Sequence, residues 1–211
     1  NDTGEFAEEA SWMNFQDMTG ATMNAHKKKT KNMLVNKMPY FNRSQGSLDW
    51  GPIDVLFEET SDAQTALWTA NELQKDHQKP FFLACGIYRP HLPWHVPKEF
   101  FEKFPVKDII LPDINTKDLE DVPAKGIEMS DGLTMKGDYQ RISRHGKKKE
   151  AVQAYLASTN YADKCVGLIL DALDKSRYRD NTIVVLWGDH GWHLGEKLSY
   201  RKSKLWEEST R

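Results

Sequence analysis

The 211 residues are enough for one domain with its own core, and a hydrophobic fraction of 39% with 28% charged residues is ordinary for a globular protein. The net charge of -2 gives no electrostatic reason to expect nucleic acid or an anionic membrane as partner. No apolar run approaches the roughly 20 residues of a membrane span. Two cysteines, Cys85 and Cys165, are too few to define a disulfide framework or a zinc site, and both are expected to be buried free thiols.

The first 60 residues are polar and rich in methionine, without a clean helical stripe, and predict loops and short helices. Within them, Asp49-Trp50-Gly51-Pro52 is typical of a turn. The sequence has neither an initiator Met nor a signal-peptide pattern. The residues before Arg211 do not resemble the last helix or strand of a domain. We therefore expect both ends to be cuts in a longer chain. The roles of residues 1–45 and 105–146 are not assigned.

Helical spacing begins at Ser61, and either Ser61 or Asp62 can cap the helix. Its apolar positions are Ala63, Ala66, Leu67, Ala70 and Leu73. After Pro80, a continuous apolar run over 81–87 predicts a strand that is buried on both faces. A proline-rich stretch over 89–94 ends this strand, and Pro97 then opens a short helix over 98–104.

Residues 105–146 show little periodicity and predict a long connection. The clearest helix runs from Lys147 to Ser176, and a β-branched run over 183–187 predicts a second buried strand. The order helix, strand, helix, strand favours an α/β layer with a largely parallel sheet that is flanked by helices. The apolar face predicted for the long helix consists of Val152, Tyr155, Leu156, Thr159, Val166, Ile169, Leu170 and Leu173.

Unusual residues follow both predicted strands. His91 lies in the stretch after the first strand, and Asp189 and His190 follow the second, between Gly188 and Gly191. If the strands are parallel, their ends share one rim of the sheet, where ligands bind in open α/β folds. An adjacent carboxylate and imidazole can both reach one cation, whereas the alternative is a turn with a solvated carboxylate.

His91 and His95 have the spacing of a zinc pair on a helix, but the surrounding prolines exclude a helix there. His193 is interpreted either as a residue that lies just outside the ligands of a metal or as a structural residue, rather than as a metal ligand. The basic stretch over 197–204 is either a solvated face or an anion site. Its cationic side chains are Lys197, Arg201, Lys202 and Lys204.

Three blocks of sequence resemble the sulfatase family, closest to its iduronate-sulfatase-like and choline-sulfatase-like branch. They are Gly188-Asp189-His190-Gly191-Trp192-His193-Leu194-Gly195-Glu196-Lys197 with the Arg201-Lys202 and Trp206-Glu207-Glu208 that follow, Lys79-Pro80-Phe81-Phe82-Leu83 with Tyr88-Arg89-Pro90-His91-Leu92-Pro93-Trp94, and Tyr155-Leu156-Ala157-Ser158 with Asp163 and Gly167. They lie in family order over about residues 45–211. The Asp-His-Gly element alone is weak evidence for this family, but the three blocks together are specific for it.

The resemblance implies an alkaline-phosphatase-like α/β fold, incomplete at both ends, and hydrolysis of sulfate esters, with residues 1–211 as part of the catalytic domain. It assigns Asp189 and His190 to a divalent cation, usually Ca²⁺, and His91 and Lys202 to catalysis and sulfate binding. It also implies a formylglycine nucleophile, a sulfated small molecule or saccharide as substrate, and an exported protein.

The sequence departs from the family in one respect. The nucleophile motif is Cys or Ser, any residue, Pro, any residue, Arg, and no cysteine or serine of these 211 residues fits it. We therefore expect the motif in a preceding segment and the chain alone to be inactive. A phosphatase or phosphodiesterase of the same superfamily and a non-catalytic anion-binding module remain the alternatives.

Overall fold

The computed structural model describes Asn36, Met38, residues 48–132 and residues 137–210. Most of the expectation for residues 1–60 therefore lies outside the described residues. The strands of the described part are β1, Trp50–Ile53; β2, Trp94–Pro97; β3, His193–Leu194; and β4, Tyr200–Arg201. Its α-helices are α1, Ser61–Leu73; α2, Lys98–Glu102; α3, Ala124–Gly132; α4, Asp138–Arg144; and α5, Lys148–Asp174.

The fold is α/β, with helices packed around a small parallel pair of strands. Strands β1 and β2 pair in parallel, with Trp50 opposite Trp94, and β3 and β4 form a separate antiparallel pair. The prediction of a turn at Asp49–Pro52 was wrong, because Trp50 and Ile53 are buried and their backbone finds a partner in β2. That partner lies far along the sequence, so no local pattern could reveal it.

Helices α1 and α5 pack against each other and form the main helical layer. Both were predicted, as was the short helix α2, which ends at Glu102. The predicted buried face of α5 was only partly right, since Val152 and Leu173 are buried while Thr159 and Leu170 are exposed. Small side chains let two helices approach closely, which explains why the buried stripe carries them. The small buried residues of α5 are Ala151, Ala154, Ala157, Ser158 and Cys165.

Neither predicted buried strand forms within the described residues. The segment 81–87 packs only one side against the helices. Its odd-numbered residues are half-buried, whereas Phe82 on the other side is 79% exposed. The segment 183–187 is exposed throughout, with Ile183 at 91% and Trp187 at 74%. A strand needs a neighbour to accept its N–H groups and donate to its carbonyls. No described strand pairs with either segment.

The connection over 105–146 contains two helices, α3 and α4, that the weak periodicity did not predict. Both cysteines are free, as expected, although Cys85 is only half-buried. Burial raises the pKa of the Cys165 thiol to about 12. None of the helices described is both long enough and apolar enough to cross a membrane.

Candidate active site

His91 lies in a loop that connects the 81–87 segment to β2. Its Nδ1 donates to the carbonyl of Leu92 at 2.6 Å, since a carbonyl can only accept. Its ring lies against the ring of Tyr88, with centroids 4.5 Å apart. The Nδ1 bond fixes the tautomer and leaves Nε2 as the atom that can serve a substrate.

The surroundings of His91 lower the pKa of its imidazole. Burial is the main cause, because it disfavours the charged form, and the hydrogen bond to Leu92 opposes it. The nearby charges of Lys202 and Arg89 and the imidazole of His190 add to the lowering. Lys202 and His190 therefore lie near His91, although they follow it by 111 and 99 positions in the sequence.

Asp189 and His190 form a contacting pair. His190 Nε2 lies 3.3 Å from Asp189 Oδ2, and His190 Nδ1 donates to the carbonyl of Gly191 at 2.8 Å. The side chain of Asp189 is 82% exposed, so its carboxylate can reach a ligand. An exposed carboxylate in this place fits both the cation-binding interpretation and the alternative of a turn with a solvated carboxylate.

A divalent cation fits this pair only in part. Ca²⁺ takes about six to eight oxygen ligands, whereas the pair supplies one carboxylate and one imidazole. In the part of the chain described here, no three His, Cys, Asp or Glu residues are grouped so that they could hold a metal. Asp189 and His190 can therefore be two ligands of a cation whose other ligands come from elsewhere.

The cationic side chains of the basic stretch over 197–204 differ in their partners. Lys197 Nζ donates to Asp118 Oδ1 at 2.9 Å, Arg201 pairs with the buried Asp138, and Lys204 Nζ donates to the carbonyl of Ser130 at 3.2 Å. Lys202 makes no hydrogen bond or ion pair with another described residue. Three of the four cations are thus held by other elements, and the charge of Lys202 is close enough to His91 to lower the pKa of its imidazole.

The backbone around Lys202 is strained. Lys197, Leu198, Arg201 and Ser203 all have positive φ, a region that non-glycine residues rarely adopt. Gly195, at φ +128°, begins this segment, and a Cβ there would clash with the Ile114 side chain. Such strain persists only when surrounding contacts enforce it, and it clusters at functional sites.

Two tryptophans join the His91 loop to the loop that carries Asp189 and His190. Trp94 is fully buried, and Trp192 packs edge-on against it with ring centroids 5.9 Å apart. The two loops meet here by side-chain packing rather than at the ends of two paired strands. His193 is fully buried, in line with a structural role, and burial lowers the pKa of its imidazole.

Two further contacts of buried carboxylates were not predicted from the sequence. His95 Nε2 lies 3.2 Å from Asp49 Oδ2, so this histidine belongs to the core beside β1. Asp62, interpreted above as a possible helix cap, accepts hydrogen bonds from the backbone of Tyr88 and Arg89 instead. Its position next to Ser61 at a helix start is equally typical of a cap, so no local signal separates the two roles.

Comparison with known proteins finds several sulfatases that are similar to this chain. The chain is 39% identical over 163 residues to a sulfatase of Formosa agariphila, a match that covers 77% of this chain and 32% of that protein. It is 34% identical to human iduronate 2-sulfatase, over 66% of this chain and 26% of that protein. It is 24% identical to the choline-sulfatase of Rhizobium meliloti, over 67% of this chain and 27% of that protein.

The chain therefore spans about a third or less of the length of these relatives. The sequence profile of the sulfatase family matches residues 4–211, which is nearly the whole chain. On this match, and on its likeness to the Formosa agariphila protein, the chain belongs to the sulfatase family.

Proposed function

We propose that the protein to which this chain belongs hydrolyses sulfate esters, with sulfated carbohydrates as its substrate class and the alkaline-phosphatase-like α/β fold of its family. The observation that carries the proposal is the neighbourhood of His91, Lys202 and His190, formed by loops that are remote in sequence. Family membership supports the reaction type. The substrate class is supported by relatives named for iduronate and ulvan.

In this proposal, Lys202 binds an oxygen of the sulfate group through its ammonium. The group has no other hydrogen bond or ion pair with a described residue, so it is available to an anion. A lysine contact of this kind holds the sulfate both in the bound substrate and in the transition state. Lys202 therefore contributes to binding and to turnover together.

His91 protonates the leaving oxygen from Nε2, because Nδ1 is occupied by the Leu92 carbonyl. The imidazole must be protonated for this step, yet its surroundings lower its pKa in the free protein. A bound sulfate brings negative charge close to the ring and favours the imidazolium form. Substrate binding thus prepares the acid that the reaction needs.

Asp189 and His190 are the proposed ligands of a divalent cation, which we expect to be Ca²⁺ and which would offset negative charge on the sulfate oxygens. The nucleophile, a formylglycine by family resemblance, is expected in a segment other than these 211 residues. His91 and Lys202 act from the opposite, leaving-group side of this chemistry. Their task is to hold the sulfate and to deliver a proton.

The experiment is a paired assay on the full-length protein, with sulfate and phosphate esters of the same alcohol. We expect release of sulfate to exceed release of phosphate by orders of magnitude, and Asp189→Ala to reduce it. Preferential release of phosphate would favour a phosphatase of the same superfamily. Tight binding of the sulfate ester without any release would favour a non-catalytic anion-binding module.

A further inference from the structure

Asp62 lies in the first turn of α1 and is 5% exposed. A carboxylate at this place usually accepts N–H groups of its own helix. Here its two oxygens accept from the backbone N–H groups of Tyr88 and Arg89, each at 3.0 Å. One carboxylate therefore ties the start of α1 to a loop that lies 26 and 27 residues further along the chain.

The loop held by Asp62 is the one that carries His91. The N–H of His91 donates to the carbonyl of Tyr88 at 3.0 Å, so the turn that presents the imidazole begins at a residue bonded to Asp62. At the far end of the loop, Trp94 Nε1 donates to the carbonyl of Pro90 at 2.8 Å. The backbone of His91 is thus fixed from both directions.

Because two adjacent backbone N–H groups share one buried carboxylate, the loop is held at two points. Helix α1 is a rigid base for them, because it packs along α5 and its buried Ala63 and Ala66 belong to the main core. A general acid must lie within hydrogen-bond reach of the oxygen that it protonates, and a displacement of about 1 Å can cost roughly 100-fold in rate. The position of this turn therefore matters for catalysis.

We propose that Asp62 is a positioning residue for the reaction, which holds the Tyr88–His91 turn so that His91 Nε2 faces the leaving oxygen. The inference rests on the proposed function of His91. Asp62 does not touch the substrate in this role. It acts through the backbone of Tyr88 and Arg89.

The test uses steady-state kinetics on the full-length protein with two sulfate esters, one of an acidic phenol and one of an alkyl alcohol. Asp62→Asn keeps the shape of the side chain, but it replaces one carboxylate oxygen by an NH₂ group that cannot accept a hydrogen bond, so one of the two N–H groups loses its partner. We expect kcat for the alkyl ester to fall about 10-fold or more, within the range of losses for a displaced acid. For the phenol ester, whose leaving group needs little protonation, the fall should be less than about threefold.

A double-mutant cycle separates positioning from general stability. In a His91→Ala background, Asp62→Asn should cause no further loss of kcat for the alkyl ester, because the group that it positions is gone. Glu72→Gln is the matched control. Glu72 is a buried carboxylate on the same helix, but it pairs with Lys75 and not with the His91 loop, so its removal should leave kcat unchanged.

Asp62→Glu is the second variant if Asp62→Asn does not fold, since it keeps both acceptors but displaces them by one methylene. Equal losses with both esters, or equal losses with and without His91, would overturn the proposal. Failure of both Asp62 variants to fold would overturn it as well, because Asp62 would then be a residue of the fold. If His91→Ala lowers kcat equally for both esters, the role proposed for His91 as a general acid is wrong, and the result does not bear on Asp62.

Discussion

At the scale of single residues, three side chains of the candidate site should differ in kinetic behaviour. His91→Ala should lower kcat by roughly 100-fold or more, the range for loss of a general acid. Lys202→Ala should raise KM as well as lower kcat, because its ammonium contacts the sulfate throughout the reaction. Asp189→Ala should weaken Ca²⁺ binding. Kinetics and metal analysis on the full-length protein measure all three. Near-normal turnover of a poor-leaving-group ester by His91→Ala would refute the role of His91.

The pH dependence of the reaction should reflect the lowered pKa of His91. Because the step needs the imidazolium, activity is present below the pKa of His91 and is lost as pH rises through it. In kcat/KM, which reports the free enzyme, this loss should occur below pH 6.5, the ordinary pKa of histidine. In kcat it should occur at higher pH, since the bound sulfate favours the imidazolium. The profiles are measured at constant Ca²⁺ concentration.

A matched pair of variants checks this assignment. The groups that act on the charge of His91 include Lys202, Arg89 and His190. Arg89→Gln removes one positive charge and should move the fall of kcat/KM to higher pH. Arg89→Lys keeps the charge and should leave the pH of this fall unchanged. If kcat/KM falls at the same pH in both variants, a group other than His91 causes the fall.

At the scale of elements, one buried hydroxyl of α5 bonds the start of α1. Tyr161 OH lies 2.5 Å from Thr60 Oγ1 and accepts from the N–H of Ala63 at 3.3 Å. Its ring packs edge-on against Phe57 and Phe100, with centroids 5.5 and 5.3 Å away. Burial is the main cause of the raised pKa of Tyr161, so the neutral hydroxyl is the form that joins the two helices.

Tyr161→Phe should therefore destabilise the protein by about 1–3 kcal/mol, the cost of leaving buried polar groups without a partner. The ring stays, so the loss reports the hydroxyl alone. Denaturant unfolding of the full-length protein measures the change. Tyr155→Phe is the control, because the Tyr155 hydroxyl makes no hydrogen bond with a described residue, and it should cost much less. Equal effects of the two changes would contradict the role of the Tyr161 hydroxyl.

At the scale of the whole molecule, the isolated chain exposes a continuous apolar segment. Residues 183–187 have exposures from 54% to 91%, and the backbone of the segment has no strand partner among the described residues. Such a segment can pair with other chains. The isolated 211-residue chain should self-associate on gel filtration, and Val185→Lys, which places a charge in the segment, should reduce the association. A sharp monomeric peak with cooperative unfolding would count against this.

The isolated chain should also be catalytically silent. It contains His91 and Lys202 but no match to the nucleophile motif of the family. Pure chain with Ca²⁺ should release no sulfate from an aryl sulfate above a buffer blank, whereas the full-length protein should. Sulfate release that follows the concentration of the pure chain would overturn the expectation.

The sequence by itself determined the helices and the candidate residues. Helices α1 and α5 follow from apolar spacing within a few turns, and α2 follows from Pro97, because these signals act between near neighbours in the chain. His91, Asp189, His190 and Lys202 were found by their residue types and by family resemblance, and their catalytic and metal-binding roles stay predictions.

Only the tertiary structure decided which distant segments meet. The β1–β2 pairing, the small-residue face of α5 and the Asp138–Arg201 pair, whose members lie 63 residues apart, depend on partners that no local pattern names. The same holds for Asp62, whose sequence position suits a helix cap while its carboxylate bonds a loop 26 residues away. Segments 81–87 and 183–187 have strand-like sequences but no described partner, because a strand is completed by its neighbour's backbone and not by its own side chains.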